Sequence, residues 1–104
     1  MRAGRTVGDV FAAHATTLDK AGLAAHRLNA CGYSLGTTFA PNWMDWPMIY
    51  AGNPVLLEPG MVFFLHMILF DSEVGIPACV GRTSLVTERG AEPLSTLSLD
   101  LAIV

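Results

Sequence analysis

The residues best suited to chemistry lie close together in the chain. The segment CGYSLGTTFAPNWMDWPMIY, from Cys31 to Tyr50, contains both Trp and both Tyr residues and a single charged residue, Asp45. Aromatic faces attract organic cations by cation–π interactions worth about 0.5 to 2 kcal/mol each. A carboxylate among them can pair with that cation or accept a proton. The segment therefore predicts one wall of a small-molecule site.

Within this segment we assign substrate binding to Trp43, Trp46 and Tyr50. Their rings would hold a cationic sulfonium or ammonium group of the substrate. The alternative is a hydrophobic plug or a contact between two copies of the chain, because aromatic residues are also enriched in the cores of protein interfaces. We therefore also expect a homodimer as one possible assembly.

The predicted catalytic residues are Asp45 of this segment and, on the strength of the family resemblance given below, Tyr33 and His66. A Tyr hydroxyl acts as a base only when a neighbouring cation or metal lowers its pKa, which is about 10 in isolation. His66 interrupts the apolar run MVFFLHMILF, and a buried imidazole needs a hydrogen-bond partner. Periodicity alone favours a satisfied core histidine, so catalysis and packing are both open for His66 at this point.

Composition excludes several classes of protein. The 104 residues are 52% hydrophobic and 14% charged, with a net charge of −3 and a mean hydropathy of +0.45. Soluble domains have about 25% charged residues, so part of the apolar surface is core or an interface. The six cations are scattered, which argues against nucleic-acid binding. The longest apolar run, Met61–Phe70, is half the length that spans a bilayer, and MRAGRTVGDV has no secretory h-region.

The two cysteines, Cys31 and Cys79, are too few for a disulfide framework. We interpret them as free thiols in a reducing cytoplasm. A zinc site requires more ligands at closer spacing, so no metal-ligating residue is predicted in this chain.

One helix is predicted near the N-terminus. Thr6 is the expected N-cap, with Asp9 near the positive end of the helix dipole, and Gly22 ends the helix as a C′ residue. The apolar stripe of this helix has the 3.6-residue period. Its members are Val7, Val10, Phe11, Leu18 and Ala21. His14 is expected at the exposed or boundary side.

The chain from Leu23 to Pro59 is predicted to be irregular, with extended pieces around Leu28–Leu35 and four prolines. The run Met61–Phe70 then predicts a strand buried on both faces. A hairpin-type turn follows at residues 71–75, before a second strand over Cys79–Thr87.

The last segment, TLSLDLAIV, predicts a half-buried strand because Leu97, Leu99, Leu101 and Ile103 alternate with polar or small residues. The helix and the strands together predict an α+β fold, in which the N-terminal helix packs on one face of a curved antiparallel sheet.

The order of motifs resembles the C-terminal half of the creatinase/aminopeptidase P/prolidase family, whose catalytic domain is the pita-bread fold. The matching phrases are GRTVGDVF, GNPVLLEPGMVFFLHM and GRTSLVTERGAEPLS. The segment GYSLGTTFAPNWMDWPM is most similar to the dimethylsulfoniopropionate lyase and ectoine hydrolase branch. The resemblance covers Thr6 to about Ser95 and implies that residues 1–104 are one C-terminal portion of a partial pita-bread domain, with the N-terminal half of the domain as its partner.

The resemblance also implies where the metal ligands of the peptidases would lie. Their histidine position holds Tyr33 here, their first glutamate position holds His66, and their second holds Gly81 or Arg82. Two further aspartates of the family precede the region matched by this chain. A divalent metal in the full-length protein is left open, with no ligand readable here.

Three functions follow as expectations. The first is a lyase or hydrolase of this family acting on a small zwitterion, by C–S cleavage of dimethylsulfoniopropionate or C–N hydrolysis of ectoine. The second is a catalytically inactive half-domain or dimerisation module. The third is an Xaa-Pro metallopeptidase, ranked lower because Tyr33, His66 and Gly81 occupy the ligand positions.

Overall fold

One helix and a five-stranded sheet form the fold in a computed structural model that describes residues 1–103. The elements are α1 (Val7–Lys20), β1 (Ala30–Ser34), β2 (Asp45–Tyr50), β3 (Val62–Asp71), β4 (Ile76–Val86) and β5 (Ala91–Pro93). The strand order is β2-β1-β3-β4-β5, and every neighbouring pair is antiparallel. Within the described residues, α1 falls short of the length and apolar character that crossing a bilayer requires.

The predicted helix is confirmed, including its ends. The Thr6 hydroxyl oxygen accepts from the Asp9 N–H, and the Asp9 carboxylate accepts from the Thr6 N–H, both at 3.0 Å. This capping box satisfies two N–H groups that the helix itself leaves without partners. At the other end Gly22 follows the cap residue with a φ of +78°, which glycine adopts without steric cost.

The two central strands form a long hairpin, as predicted. β3 and β4 pair without interruption from Val62 opposite Leu85 to Asp71 opposite Ile76. In the turn, one carboxylate oxygen of Asp71 accepts from the N–H groups of Glu73 and Val74. β4 begins three residues earlier than predicted, since the ladder continues to the turn.

The prediction of an irregular chain between Leu23 and Pro59 is wrong at β2. This strand, Asp45–Tyr50, contains Pro47 and pairs with β1 at the edge of the sheet. A proline is tolerated there because an edge strand has no ladder hydrogen bonds on its outer side. β1 itself lies within the extended piece predicted at Leu28–Leu35.

The prediction of a C-terminal strand is also wrong within the described residues. β5 is short, and after Leu94 donates its N–H to the Thr83 carbonyl the chain leaves the sheet. The alternating leucines are exposed, and Leu101 is 86% accessible. Alternation makes a strand only where one face is buried, and the described residues provide no such surface here. Val104, the last residue of the predicted strand, lies outside the described residues.

The core lies between α1 and one face of the sheet. Val7 and Phe11 of the helix pack with Cys31, Ile49 and Phe63 of three strands. The prediction that β3 is buried on both faces is therefore wrong: Phe63 is fully buried, whereas its neighbours on the opposite face are only partly covered.

His14 is buried, contrary to the prediction of an exposed or boundary position. Its ring packs against Phe11 at 5.9 Å, and its Nε2 has no hydrogen-bond partner among the described residues. Burial, more than the nearby Arg27 guanidinium, lowers the pKa of His14 below its usual 6.5. The buried side of the helix thus includes His14, whereas Val10 and Leu18 of the predicted stripe are only partly covered and Ala21 is exposed.

Candidate functional site

The candidate site lies on the face of the sheet opposite α1, called here the open face. Side chains of a strand alternate between its two faces. In β3, Phe63, Leu65 and Met67 pack into or against the core, so Phe64 and His66 point to the open face.

Tyr33 of β1 is the most buried aromatic residue on the open face, with 7% of its surface accessible. It pairs with Phe64 across the sheet, and the two rings meet edge to face at 5.6 Å. The indole Nε1 of Trp43 donates a hydrogen bond to the Tyr33 hydroxyl oxygen at 3.0 Å. The hydroxyl oxygen accepts this bond, and the phenol still has one O–H proton that it can donate to another group.

His66 stands beside Tyr33 and is partly exposed. Its ring centroid lies 6.2 Å from that of Tyr33 and 5.0 Å from that of Phe64. The structure therefore brings together two of the three predicted catalytic residues. The Tyr33 phenol can donate a proton, and the His66 imidazole can accept a proton and give it back. On the neighbouring strand β4, Gly81 is the residue opposite His66.

A cavity of about 150 Å³ adjoins these two side chains. Its walls are otherwise apolar, with Met44, Met48 and Ile68 among them. The volume is below the 300 Å³ or more of pockets that enclose drug-sized ligands. It fits a group of a few atoms, with the phenol and the imidazole as its polar contacts.

Trp46 and Tyr50 lie on β2 to either side of Met48, the residue of this strand that lines the cavity. They alternate with the buried Pro47 and Ile49, so they lie on the open face with Met48. Their rings are 6.4 Å apart and tilted by 47°, and Trp46 is 67% exposed. Of the three predicted substrate-binding residues, Trp43 contacts Tyr33 directly, whereas Trp46 and Tyr50 lie further along β2. Their role in substrate binding stays a prediction.

Asp45 has a different position from the other predicted site residues. Its Oδ2 accepts from the Thr37 N–H, the Thr37 hydroxyl and the Thr38 N–H, at 3.0, 2.9 and 3.2 Å. These bonds, led by that from the Thr37 backbone, lower the pKa of Asp45 below its usual 3.8. The carboxylate anchors the loop that carries Trp43, and its predicted role as a base stays a prediction.

A larger cavity of about 460 Å³ lies on the other side of the sheet, between α1 and the exposed ends of β3 and β4. It is lined almost entirely by apolar side chains, with His14 as its one titratable member. Its other polar side chain is Thr17, whose hydroxyl donates to the Ala13 carbonyl of the same helix at 2.9 Å. We therefore place the chemistry on the open face.

Comparison with known proteins identifies the family. The profile of Metallopeptidase family M24 matches residues 1–88. The chain belongs to this family. A relative described as probable dipeptidase PepE, from Mycobacterium tuberculosis, is 32% identical over 105 residues, covering all of this chain and 26% of that protein. The chain thus spans about a quarter of the length of the curated M24 relatives that it matches.

Solved structures confirm the predicted fold. Dipeptidase PepE from Mycobacterium ulcerans superposes with a TM-score of 0.86 at 29% identity, covering 96% of this chain and 26% of that one. Xaa-Pro dipeptidase from Bacillus anthracis superposes with a TM-score of 0.88 at 19% identity, covering 100% of this chain and 28% of that one. The one-helix, five-stranded arrangement is thus part of the pita-bread fold of M24 peptidases.

The M24 description implies a metal ion, and the residues present do not fit one. Tyr33, His66 and Gly81, the predicted equivalents of the family ligands, do lie on adjacent strands. Only one of the three is an ordinary metal donor. No group of three His, Cys, Asp or Glu residues within positions 1–103 is arranged to hold an ion, and stable sites use three or four protein ligands.

Sequence reasoning missed the apolar walls of the site. Phe64 and Ile68 lie two residues to either side of His66, and Met48 lies two residues from both Trp46 and Tyr50. In a strand this spacing places side chains on one face. The signal was therefore present for β3, but for β2 it was hidden by the wrong assignment of that segment as irregular.

Proposed function

We propose that this chain forms one wall of the substrate cleft of an M24-family hydrolase that cleaves small dipeptide-like molecules. The observation that carries the proposal is the Tyr33–His66 pair, beside a small cavity on the open face of an M24-type sheet. Relatives described as dipeptidases support this substrate class. Because the chain covers 26% of those relatives, the activity is proposed for a longer protein, in which a preceding segment closes the cleft.

The polar groups suit a zwitterion. The Tyr33 O–H donates to a carbonyl or carboxylate oxygen of the substrate, while His66 exchanges a proton with the reacting group. The rings of Trp46 and Tyr50 attract an ammonium group at the edge of the site. A dipeptide carries one positive and one negative charge. The osmolytes dimethylsulfoniopropionate and ectoine do so too.

Substrate profiling tests this proposal. Full-length protein is incubated with glycyl-proline, other dipeptides, dimethylsulfoniopropionate and ectoine, and the products are followed by mass spectrometry. We expect dipeptide cleavage, lost in H66A and retained in the matched control H26A, because the His26 Nδ1 instead contacts the Phe70 carbonyl away from the cavity. Cleavage of an osmolyte alone would replace the dipeptidase proposal with a lyase or ectoine-hydrolase one.

The poor fit to a metal site favours one second candidate, a catalytically inactive lobe that pairs with another chain. Its exposed Trp46 and Tyr50 would then contact a second copy in a homodimer. Analytical ultracentrifugation separates the two: a W46A variant shifts the protein from dimer to monomer under this candidate and leaves its mass unchanged under the first. We also keep a cytoplasmic location as a proposal, based on two cysteines that are free in the structure.

A further inference from the structure

Gly81 has no room for a side chain while the Phe64 ring keeps its present position. A Cβ atom built at this position would lie 2.6 Å from Cζ and 2.9 Å from Cε2 of Phe64, distances that real Cβ atoms essentially never show. The ring of Phe64 therefore covers Gly81 from the diagonal position on β3. A carboxylate-bearing residue at position 81 would have to displace this ring before it could reach His66.

The ring is held in that place by its neighbours. Phe64 meets Tyr33 edge to face at 5.6 Å and lies against His66 at 5.0 Å. Such aromatic contacts prefer offset or edge-to-face geometry, so moving the Phe64 ring disturbs both neighbours. The three rings fill the centre of the open face as one cluster.

The polar atoms of this cluster are complementary to an organic ligand. The Tyr33 hydroxyl oxygen accepts from the Trp43 indole and keeps its own O–H proton to donate. The imidazole of His66 is the second polar group, and Met48 and Ile68 supply apolar walls. This arrangement recognises a small molecule with a carboxylate or carbonyl oxygen and a short apolar body.

We propose that the Tyr33–Phe64–His66 cluster binds the oxygen of such a ligand directly through the phenol and the imidazole, with no metal ion between ligand and protein. The Phe64 ring takes the space that a carboxylate at position 81 would need. The proposal rests on the proposed function only in placing a substrate in this cleft, and its tests do not depend on catalysis.

Metal titration tests the first half of the proposal. Mn²⁺, Co²⁺ and Zn²⁺ are titrated separately into the full chain by isothermal titration calorimetry, with H66A and the matched control H26A alongside. We expect binding heats that are the same in wild type and H66A, including any from other surface groups. Stoichiometric binding that H66A loses and H26A retains would overturn the proposal.

A double-mutant cycle tests the role of the Phe64 ring. G81A should lower the melting temperature of the wild type, and the same substitution should lower it less, or not at all, when made in F64A. This non-additivity is the signature of two groups competing for one space. Equal losses in both backgrounds would show that the ring does not fill the site and would overturn the proposal.

The two proposals fail separately. If no dipeptide is cleaved but the titration and the cycle behave as expected, the proposed function fails and the metal-free cluster stands. If dipeptides are cleaved and a His66-dependent metal is found, the metal-free cluster fails and the hydrolase stands.

Discussion

The two faces of the sheet differ in how completely they are covered. Towards α1, Phe63 and Ile49 are almost fully buried in a continuous apolar core. On the open face, Phe64 and His66, which belong to the same strand as Phe63, are only partly covered. The edge of that face carries the exposed Trp46. One β-strand thus supplies both a structural surface and a recognition surface.

This difference separates stability from function. Burying a large apolar side chain contributes about 1.5 to 3 kcal/mol, and this contribution is concentrated on the helix side. The open face has aromatic rings without full burial, which typically marks an interaction site. Substitutions on the two faces should therefore affect different measurements.

The largest expected effect comes from truncating the core. F63A removes a fully buried ring and should lower the free energy of unfolding by about 3 to 5 kcal/mol. F70A, on the same strand but 52% exposed, is the matched control and should cost clearly less. Urea denaturation measures both, and equal losses would contradict the assignment of the two faces.

The next effect concerns recognition on the open face. Y33F removes the hydroxyl that donates to the substrate, and losing one hydrogen bond to a charged partner costs about 1.5 to 3 kcal/mol. We expect kcat/KM to fall roughly 10- to 150-fold while the fold persists. Steady-state kinetics on the best dipeptide, with circular dichroism for the fold, checks this.

A control for Y33F is W43F, which removes the Nε1 donor but keeps the phenol. It should lower kcat/KM less than Y33F does. A larger loss in W43F would mean that the indole, and not the phenol, is the group that contacts substrate.

A smaller effect is the pH dependence of stability that His14 causes on the helix side of the sheet. Burial lowers the pKa of His14 in the folded protein, so the unfolded chain binds this proton more tightly. The contribution of His14 to stability is complete above about pH 6.5 and is lost as the pH falls below that value towards the folded pKa. Urea denaturation between pH 8 and 5 should show a decline in stability that is weaker in H14Q than in the wild type.

The last prediction concerns the two cysteines. Substituting the exposed one should affect stability least, but it should clearly change the reaction with a thiol reagent. Burial raises the pKa of Cys31 to about 12, so this thiol stays protonated and protected at neutral pH. Cys79, opposite Ile68 on β4, is exposed. A thiol reagent should titrate one cysteine in the folded protein and two in urea, and C79S should abolish the reaction of the folded protein.

Local signals in the sequence predicted the helix and the central hairpin well. The Thr6–Asp9 capping box, Gly22 and the turn after Asp71 each act over a few residues, so their effect does not require the rest of the fold. The same reasoning failed at the C-terminal leucines. There the alternation was correct for a strand, but none of the described residues covers one of its faces.

The candidate site was only partly predictable. The resemblance to a family placed Tyr33 and His66 in one cleft, and the structure sets them side by side. No sequence pattern indicated that Asp45 would bind the backbone of Thr37 and Thr38. That contact depends on how the loop between β1 and β2 closes, which residue spacing alone does not determine.

The sequence by itself determined where the helix begins and ends, where the hairpin turns, and that aromatic residues concentrate before Tyr50. Only the tertiary structure decided which face of each strand is buried, and that Phe64 occupies the space above Gly81. The physical reason is the separation along the chain of the residues that interact. Caps and turns are made by hydrogen bonds between near neighbours in the chain, whereas burial and ring packing depend on strands that the sequence separates and the fold brings together.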